Sequence, residues 1–262
     1  MEDVHDLPLR AAPVEGYAEI FAKRGAAYHE AMSAFPHARD HEFLEAIAWA
    51  DLRDGQVVCD APSGPGDLAR YVTARVSLVH VEPSADFARR CRARGARDVL
   101  SSSLEELPLG RGSVDRVISL AALHHVLDKP AFFREAQRVL KREGEGVLCI
   151  ADACRGSVVA EFLNGFVHAH NSMGHRGVFI DPATADDLEE AGFVVERAAV
   201  VACPWRFRSR DEMAWFAKRL FGLDRATPAQ TLAGIERHLG CRTQAGEHHL
   251  DWELLFIRAV NR

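Results

Sequence analysis

The chain has 262 residues, 48% hydrophobic and 27% charged, with a formal charge of −6 from 32 Lys and Arg against 38 Asp and Glu. That composition excludes a disordered or fibrous chain, and the acidic balance argues against nucleic acid as the main partner, because phosphate binding needs a basic surface. No window approaches the ~18 consecutive apolar residues of a membrane helix, and the start, MEDVHDLPLR, lacks a signal-peptide core, so a soluble, cytoplasmic protein with no membrane partner is expected.

Up to residue 55 the chain reads as a helical segment: the apolar residues of YAEIFAKRGAAYHEAM and DHEFLEAIAWADL recur every three or four positions. From Gln56 the texture changes to short apolar strands, QVVCDA (56–61), SLVHVE (77–82), RDVLSS (97–102), VDRVISLAA (114–122) and GVLCIADA (146–153). Between them lie the helical stretches GDLARYVTA, SADFARRCRARG and KPAFFREAQRVLKRE, an alternation that gives an α/β fold with a doubly wound, mostly parallel sheet. The basic run RRCRARGAR (89–97) is expected to be the solvated face of a helix. The six cysteines form no CxxC pair, which suits reduced, buried thiols rather than disulfides or a zinc knot.

After Ala153 the alternation loosens. SVVAEFLNGFVHAHN reads as a helix, DPATADDLEEAGF as a helix with Asp181 as N-cap and Pro182 at its first position, and VVERAAVVACPWRF as a strand. Residues 210–240 carry two helices, which would cap the sheet's binding edge, before a final strand HLDWELLFIRAV. His168 and His170 would sit about 200° apart on a helix, so a metal site in FVHAHNSMGHRGVF is disfavoured and no metal is expected. Two readings remain there: a substrate pocket lined by His168, Asn171 and His175, or a surface helix running into a turn. Trp205 and Trp215 are likewise either core or the wall of a pocket for a planar or apolar substrate.

In a parallel sheet a ligand sits beyond the carboxyl ends of the strands, where the strand order reverses. The loop in VVCDAPSGPGDLARYV (57–72) lies at such an end; Gly64 and Gly66 let backbone approach a ligand, and a following helix N-terminus favours an anion. GPGDLA matches the dinucleotide pattern GxGxxG/A, with Glu82 18 residues after Gly64, so an NAD(P)-dependent oxidoreductase is one reading. No second mononucleotide-binding half follows.

Taken in order, DAPSGPG, the strand ending in Glu82, SSLEELPL, SVDRVISLAALHHV and RVLKREGEGVLCIAD resemble the class I S-adenosylmethionine-dependent methyltransferases, ubiquinone/menaquinone type, over residues 56–153. The resemblance implies a Rossmann-like, mostly parallel seven-stranded sheet, in one compact domain: an N-terminal helical lid (1–55), a cofactor-binding core (56–153) and the rest of the sheet with substrate-binding cap helices (154–262). It also implies S-adenosylmethionine as cofactor, contacted by Asp60, Ala61, Pro62, Gly64 and Gly66 in the loop, Glu82 and Pro83 at the ribose, Ser103 and Leu104 at the adenine, and Ala121. Pro62 stands where the family has its first glycine, so the turn relies on a fixed φ. By position, Tyr28 and Arg39 close the other side and meet the cofactor's carboxylate.

Methyl transfer is an in-line displacement, so the protein positions the reactants and excludes water, with a base where the acceptor sheds a proton. The resemblance makes His124 and His125 that base, with Asp152 behind them; plain packing of both histidines is the alternative. The expected activity is methyl transfer to an O, N or C nucleophile of a small molecule in specialised biosynthesis. The alternatives are an adenosylmethionine-using cyclase or lyase that releases methylthioadenosine, a noncatalytic cofactor-binding protein, or the oxidoreductase.

Overall fold

A computed structural model describes residues 16–262; the opening ten residues, read above for a signal peptide, lie outside them. Helices α1 (Tyr17–Ala34) and α2 (Asp40–Ala50) precede β1 (Val57–Asp60), β2 (Ser77–Val81), α3 (Ala85–Ala93), β3 (Asp98–Leu100), β4 (Arg116–Leu120), α4 (Lys129–Val139) and β5 (Val147–Asp152). Then come α5 (Val158–Phe162), a π-helical turn over Leu163–Val167, α6 (His168–His170), α7 (Thr184–Glu190), β6 (Phe193–Ala202) and β7 (Trp205–Phe207). The chain closes with α8 (Arg210–Leu220), α9 (Pro228–His238), β8 (Cys241–Gln244), β9 (Glu247–Leu250) and β10 (Glu253–Asn261).

Seven strands form one sheet in the order β3-β2-β1-β4-β5-β10-β6. The first five are parallel, and β10 runs antiparallel to both β5 and β6. Apolar clusters pack on both faces. One joins α2 and the cap helices, with Phe43, Trp49, Phe162 and Phe216; the other gathers Phe132, Phe133 and Leu188 from α4 and α7. No described helix is long and apolar enough to cross a membrane.

Four expected elements differ. GDLARYVTA forms only a 3₁₀ turn, Asp67–Arg70. Ten residues, 67–76, must bring the chain back to the start of β2, and ten helical residues would spend all of them on about 15 Å of rise, leaving none for the turns. Helix α7 starts at Thr184, not Pro182, because Asp181 accepts a hydrogen bond from the Ala183 backbone and donates its own N–H to Thr184 Oγ1, closing a turn before the helix.

The expected strand VVERAAVVACPWRF breaks at Pro204, which has no N–H for a ladder. Its last three residues, β7, leave the large sheet for a small one in the order β7-β9-β8, which the sequence did not suggest. The expected final strand is interrupted in the same way at 251–252, between β9 and β10.

Candidate active site

Strands β1 and β4 are neighbours, and the strand order reverses between them, so the loops after Asp60 and after Leu120 flank one crevice. A cavity of about 530 Å³ lies there. Asp60, Pro62 and Gly64 form its floor, Leu120 and Ala121 one wall, and Tyr17, Phe21, Tyr28 and Arg39 from the N-terminal helices its roof. The Ala61–Pro62 peptide is cis.

The two glycines do different work. Gly64 has φ +55 and open space where a β-carbon would stand, so its backbone faces the cavity bare. Gly66 has φ +84, and a β-carbon there would meet Cys91 Sγ at 2.7 Å; its missing side chain serves packing against α3. With only a short 3₁₀ turn behind it, this loop has no full helix dipole to offer an anion.

Asp60 is buried and paired in register with His80, whose Nδ1 lies 3.2 Å from Asp60 Oδ2. Burial opposes a charged imidazole, but the hydrogen bonds to Asp60 and Cys91 and the Asp60 charge outweigh it and push His80 up to about 10. Burial raises Asp60 in turn, and the facing His80 pulls it back down, so the two groups hold a proton between them at the cavity floor. Nothing in the sequence marks His80; it becomes visible only through strand register.

Glu82 is fully buried at the end of β2. Its carboxyl accepts hydrogen bonds from Gly64 N and Ser84 N, both at 2.7 Å, and from the Tyr17 hydroxyl at 3.2 Å. Burial pushes it up to about 8. It stands directly behind the Gly64 wall rather than on the cavity surface. Ala61, Gly66, Pro83, Ser103 and Leu104 also stand outside the cavity walls: Ala61 is buried with its N–H on Ile118 O, Leu104 sits in the apolar cluster over α4, and Ser103 is exposed.

A second cavity of about 480 Å³ adjoins the first, and Phe21, Tyr28, Arg39 and Ala121 line both. Ala121 has φ +52, a conformation alanine seldom adopts, at this junction. The second cavity is walled by Leu163, Trp205, Leu220, Phe221 and Trp252, with Arg24, His124, His125 and His175 as its polar groups.

Asp152 holds His124 twice. Its Oδ1 is 2.6 Å from His124 Nδ1, and its Oδ2 accepts the His124 backbone N–H at 2.9 Å. Asn164, displayed by the π-helical turn, accepts from His175 Nδ1 at 2.9 Å. Both bonds place the Nδ1 proton and leave Nε2 as the lone-pair nitrogen. Burial is the main cause that holds His125 and His175 well below the ordinary histidine value, and their neighbouring imidazoles add to it. One ring nitrogen from each of His124, His125 and His175 lies within 4.8 Å of the other two, a spacing that could hold a metal ion.

Of the residues expected to bind substrate, His175 and Trp205 line this cavity, whereas His168, Asn171 and Trp215 do not. His168 Nδ1 takes the His175 backbone N–H, Asn171 spends its amide on Phe221 O, and Trp215 packs against Phe35. His170 bonds Phe166 O outside the cluster. Tyr28 and Arg39 do meet, with Nη1 donating to the Tyr28 hydroxyl at 2.7 Å, but Glu42 holds the rest of the guanidinium. Glu42 also accepts from Trp205 Nε1, tying α2 to the cap. Glu42 and Arg24 went unnoticed in the sequence because each looks like an ordinary polar position on an amphipathic helix.

Residues 59–148, from β1 into β5, match the family model described as a methyltransferase domain. A protein of Mycobacterium tuberculosis named as a probable S-adenosylmethionine-dependent methyltransferase is 35% identical over 141 residues, 52% of this chain and 48% of that protein. The chain therefore carries a methyltransferase domain over residues 59–148, similar to that of the S-adenosylmethionine-dependent methyltransferases. It spans about half the length of the curated relatives it matches.

Solved methyltransferase structures share the fold. A possible histamine N-methyltransferase from Thermotoga maritima superposes with a TM-score of 0.61 at 20% identity, covering 93% of this chain and 99% of that one. A phosphoethanolamine N-methyltransferase from Haemonchus contortus, solved with S-adenosylhomocysteine, gives 0.62 at 16% identity, covering 95% and 60%. The family's cofactor is S-adenosylmethionine, and the first cavity fits it. The bare Gly64 backbone admits close approach, Asp60 supplies a carboxyl oxygen as acceptor, and the faces of Tyr17, Phe21 and Tyr28 suit a sulfonium cation.

Proposed function

We propose that this methyltransferase transfers the methyl group of S-adenosylmethionine to a small molecule held in the second cavity. The observation that carries the reading is the shared wall: a cavity over Asp60 and Gly64 and an aromatic cavity over His124 and His125 have Phe21, Tyr28, Arg39 and Ala121 in common. A recess walled by the aromatic rings of Phe21, Trp205, Phe221 and Trp252 suits an apolar or planar small molecule rather than a polymer.

Asp60 and Gly64 would hold the cofactor, with Glu82 turning to the ribose hydroxyls as Tyr17 gives way. When bound, S-adenosylmethionine supplies a methyl group on a positively charged sulfur that leaves as a neutral thioether. The chain's own part is position, dryness and the proton. Aromatic residues from α1 and the cap exclude water, and the junction at Ala121 sets the line between the two cavities. His124 Nε2 takes the proton that the acceptor sheds, and Asp152, on Nδ1, fixes the tautomer and balances the imidazolium. His125, held neutral, adds a second polar contact without competing charge.

The test is incubation with S-adenosylmethionine and a panel of small O, N and C nucleophiles, followed by mass spectrometry. The expected adenosyl product is S-adenosylhomocysteine with an acceptor gaining one methyl. Methylthioadenosine as the only adenosyl product would overturn the reading.

A further inference from the structure

The second cavity has an uneven charge balance. Arg39 is answered by Glu42, and His124 by Asp152. His125 and His175 are neutral imidazoles. Arg24 is the remaining charged side chain on the wall, and among the described residues it makes no ion pair.

Its guanidinium is anchored but not satisfied. Nη2 donates to Leu220 O at 2.9 Å, at the end of α8. Nε is buried with no hydrogen-bond partner. Gly222, with φ +64, lets the group come this close: a β-carbon there would fall 2.9 Å from Arg24 Nε. Burial is the main cause that pushes Arg24 down to about 10, while the Asp224 charge pulls it back up. Asp224 does not discharge the debt, because its carboxylate accepts the Ser172 N–H on the protein surface. Nε is closed off against Gly222, so what the cavity wall offers a ligand is the cation itself, with no counter-charge on it among the described residues.

We propose that the acceptor carries an oxyanion, a carboxylate or a phosphate-type group, which sits on Arg24 while its apolar body lies among Phe21, Leu163, Phe221 and Trp252. This deepens the small-molecule reading above and rests on the second cavity being the acceptor site. Within that site Arg24 would set specificity and orientation: an acceptor pinned at α1 by its anion presents its far end to His124 and the junction at Ala121.

The test measures binding without turnover, so it stays separate from the product assay. Protein loaded with S-adenosylhomocysteine is titrated with phenylacetate against phenylacetamide, indole-3-acetate against indole-3-acetamide, and phenyl phosphate, following calorimetry and quenching of Trp205 and Trp252. The acids are expected to bind about tenfold or more tightly than the amides, the scale of a charge-assisted hydrogen bond. Phenyl phosphate ranks the two oxyanions against each other. Arg24→Met should erase the preference, and Arg24→Lys should keep part of it. If Arg24→Met does not fold, Arg24→Gln is read the same way, and the wild-type acid-to-amide ratio stands by itself. Equal affinity for acids and amides, absence of binding by every probe, a preference that survives loss of Arg24, or an equal loss of S-adenosylhomocysteine binding in Arg24→Met would each overturn the proposal. The last would assign Arg24 to the cofactor's carboxylate.

Discussion

Asp152 grips His124 from two directions, with one carboxylate oxygen 2.6 Å from the ring Nδ1 and the other accepting the backbone N–H at 2.9 Å. The side chain and the loop that carries it are thus fixed by a single acid at the end of β5. Asp152→Asn can still meet one of these demands, but it can donate to Nδ1 and so invert the tautomer. We expect turnover to fall by about 10² to 10⁴ with S-adenosylhomocysteine affinity unchanged; a variant that turns over normally would remove His124 from the proton path.

Glu82 gives a pH signature. Burial pushes its carboxyl from 4.5 to about 8, so it is largely protonated at neutral pH and ionises as pH rises through 8. An ionised carboxylate is the stronger acceptor for ribose hydroxyls. S-adenosylhomocysteine affinity should therefore increase between pH 7 and pH 9, and Glu82→Gln should flatten that profile. In the free protein the sign is opposite for stability: a raised folded pKa means this group's contribution is present below 4.5 and is lost as pH climbs through 8.

The two loop glycines should separate in their effects. Gly66→Ala combines a left-handed φ with a contact at 2.7 Å from Cys91 Sγ, and should lower stability by more than ~2 kcal/mol. Gly64→Ala meets no neighbour and should cost only ~1 to 2 kcal/mol of backbone strain while weakening cofactor binding. Thermal melts paired with calorimetry distinguish the outcomes; equal losses of stability would mean that Gly66 is not a packing glycine.

Glu42 should be the most sensitive acid for stability outside the sheet. Glu42→Gln would leave the Arg39 guanidinium buried without its counter-charge and lose a strong acceptor for Trp205 Nε1. Breaking such a pair costs ~3 to 5 kcal/mol, which in a domain of this size lowers Tm by about 10 °C. A melt within about 2 °C of the parent would show that the network contributes little.

The histidine cluster predicts inhibition by zinc. Its three nitrogens lie within 4.8 Å of one another, and a zinc ion there would occupy the lone pair that the proton path uses. A divalent ion would also stand near Arg24, which already disfavours charge on His125 and His175. Activity should persist after chelator treatment and fall on adding zinc, with His175→Gln relieving the inhibition. Loss of activity with the chelator, restored by metal, would make the cluster a metal centre.

The sequence by itself determined the sheet's parallel half, the β1 loop, and the acids that end β1, β2 and β5, because each is a local pattern: an apolar run, a turn, a polar residue at the strand's carboxyl end. It also placed His124 and Asp152 in one region through the order of segments. Only the tertiary structure decided which polar groups share a cavity. His175 joins His124 through the π-helical turn that displays Asn164, and Asn171 and His168 turn inward to satisfy backbone groups instead. His80 meets Asp60 by strand register, and Arg24 joins the cavity wall because α8 packs over α1 and offers it Leu220 O. Burial and pairing across distant segments set these charges, and neither is written in a residue's neighbours along the chain.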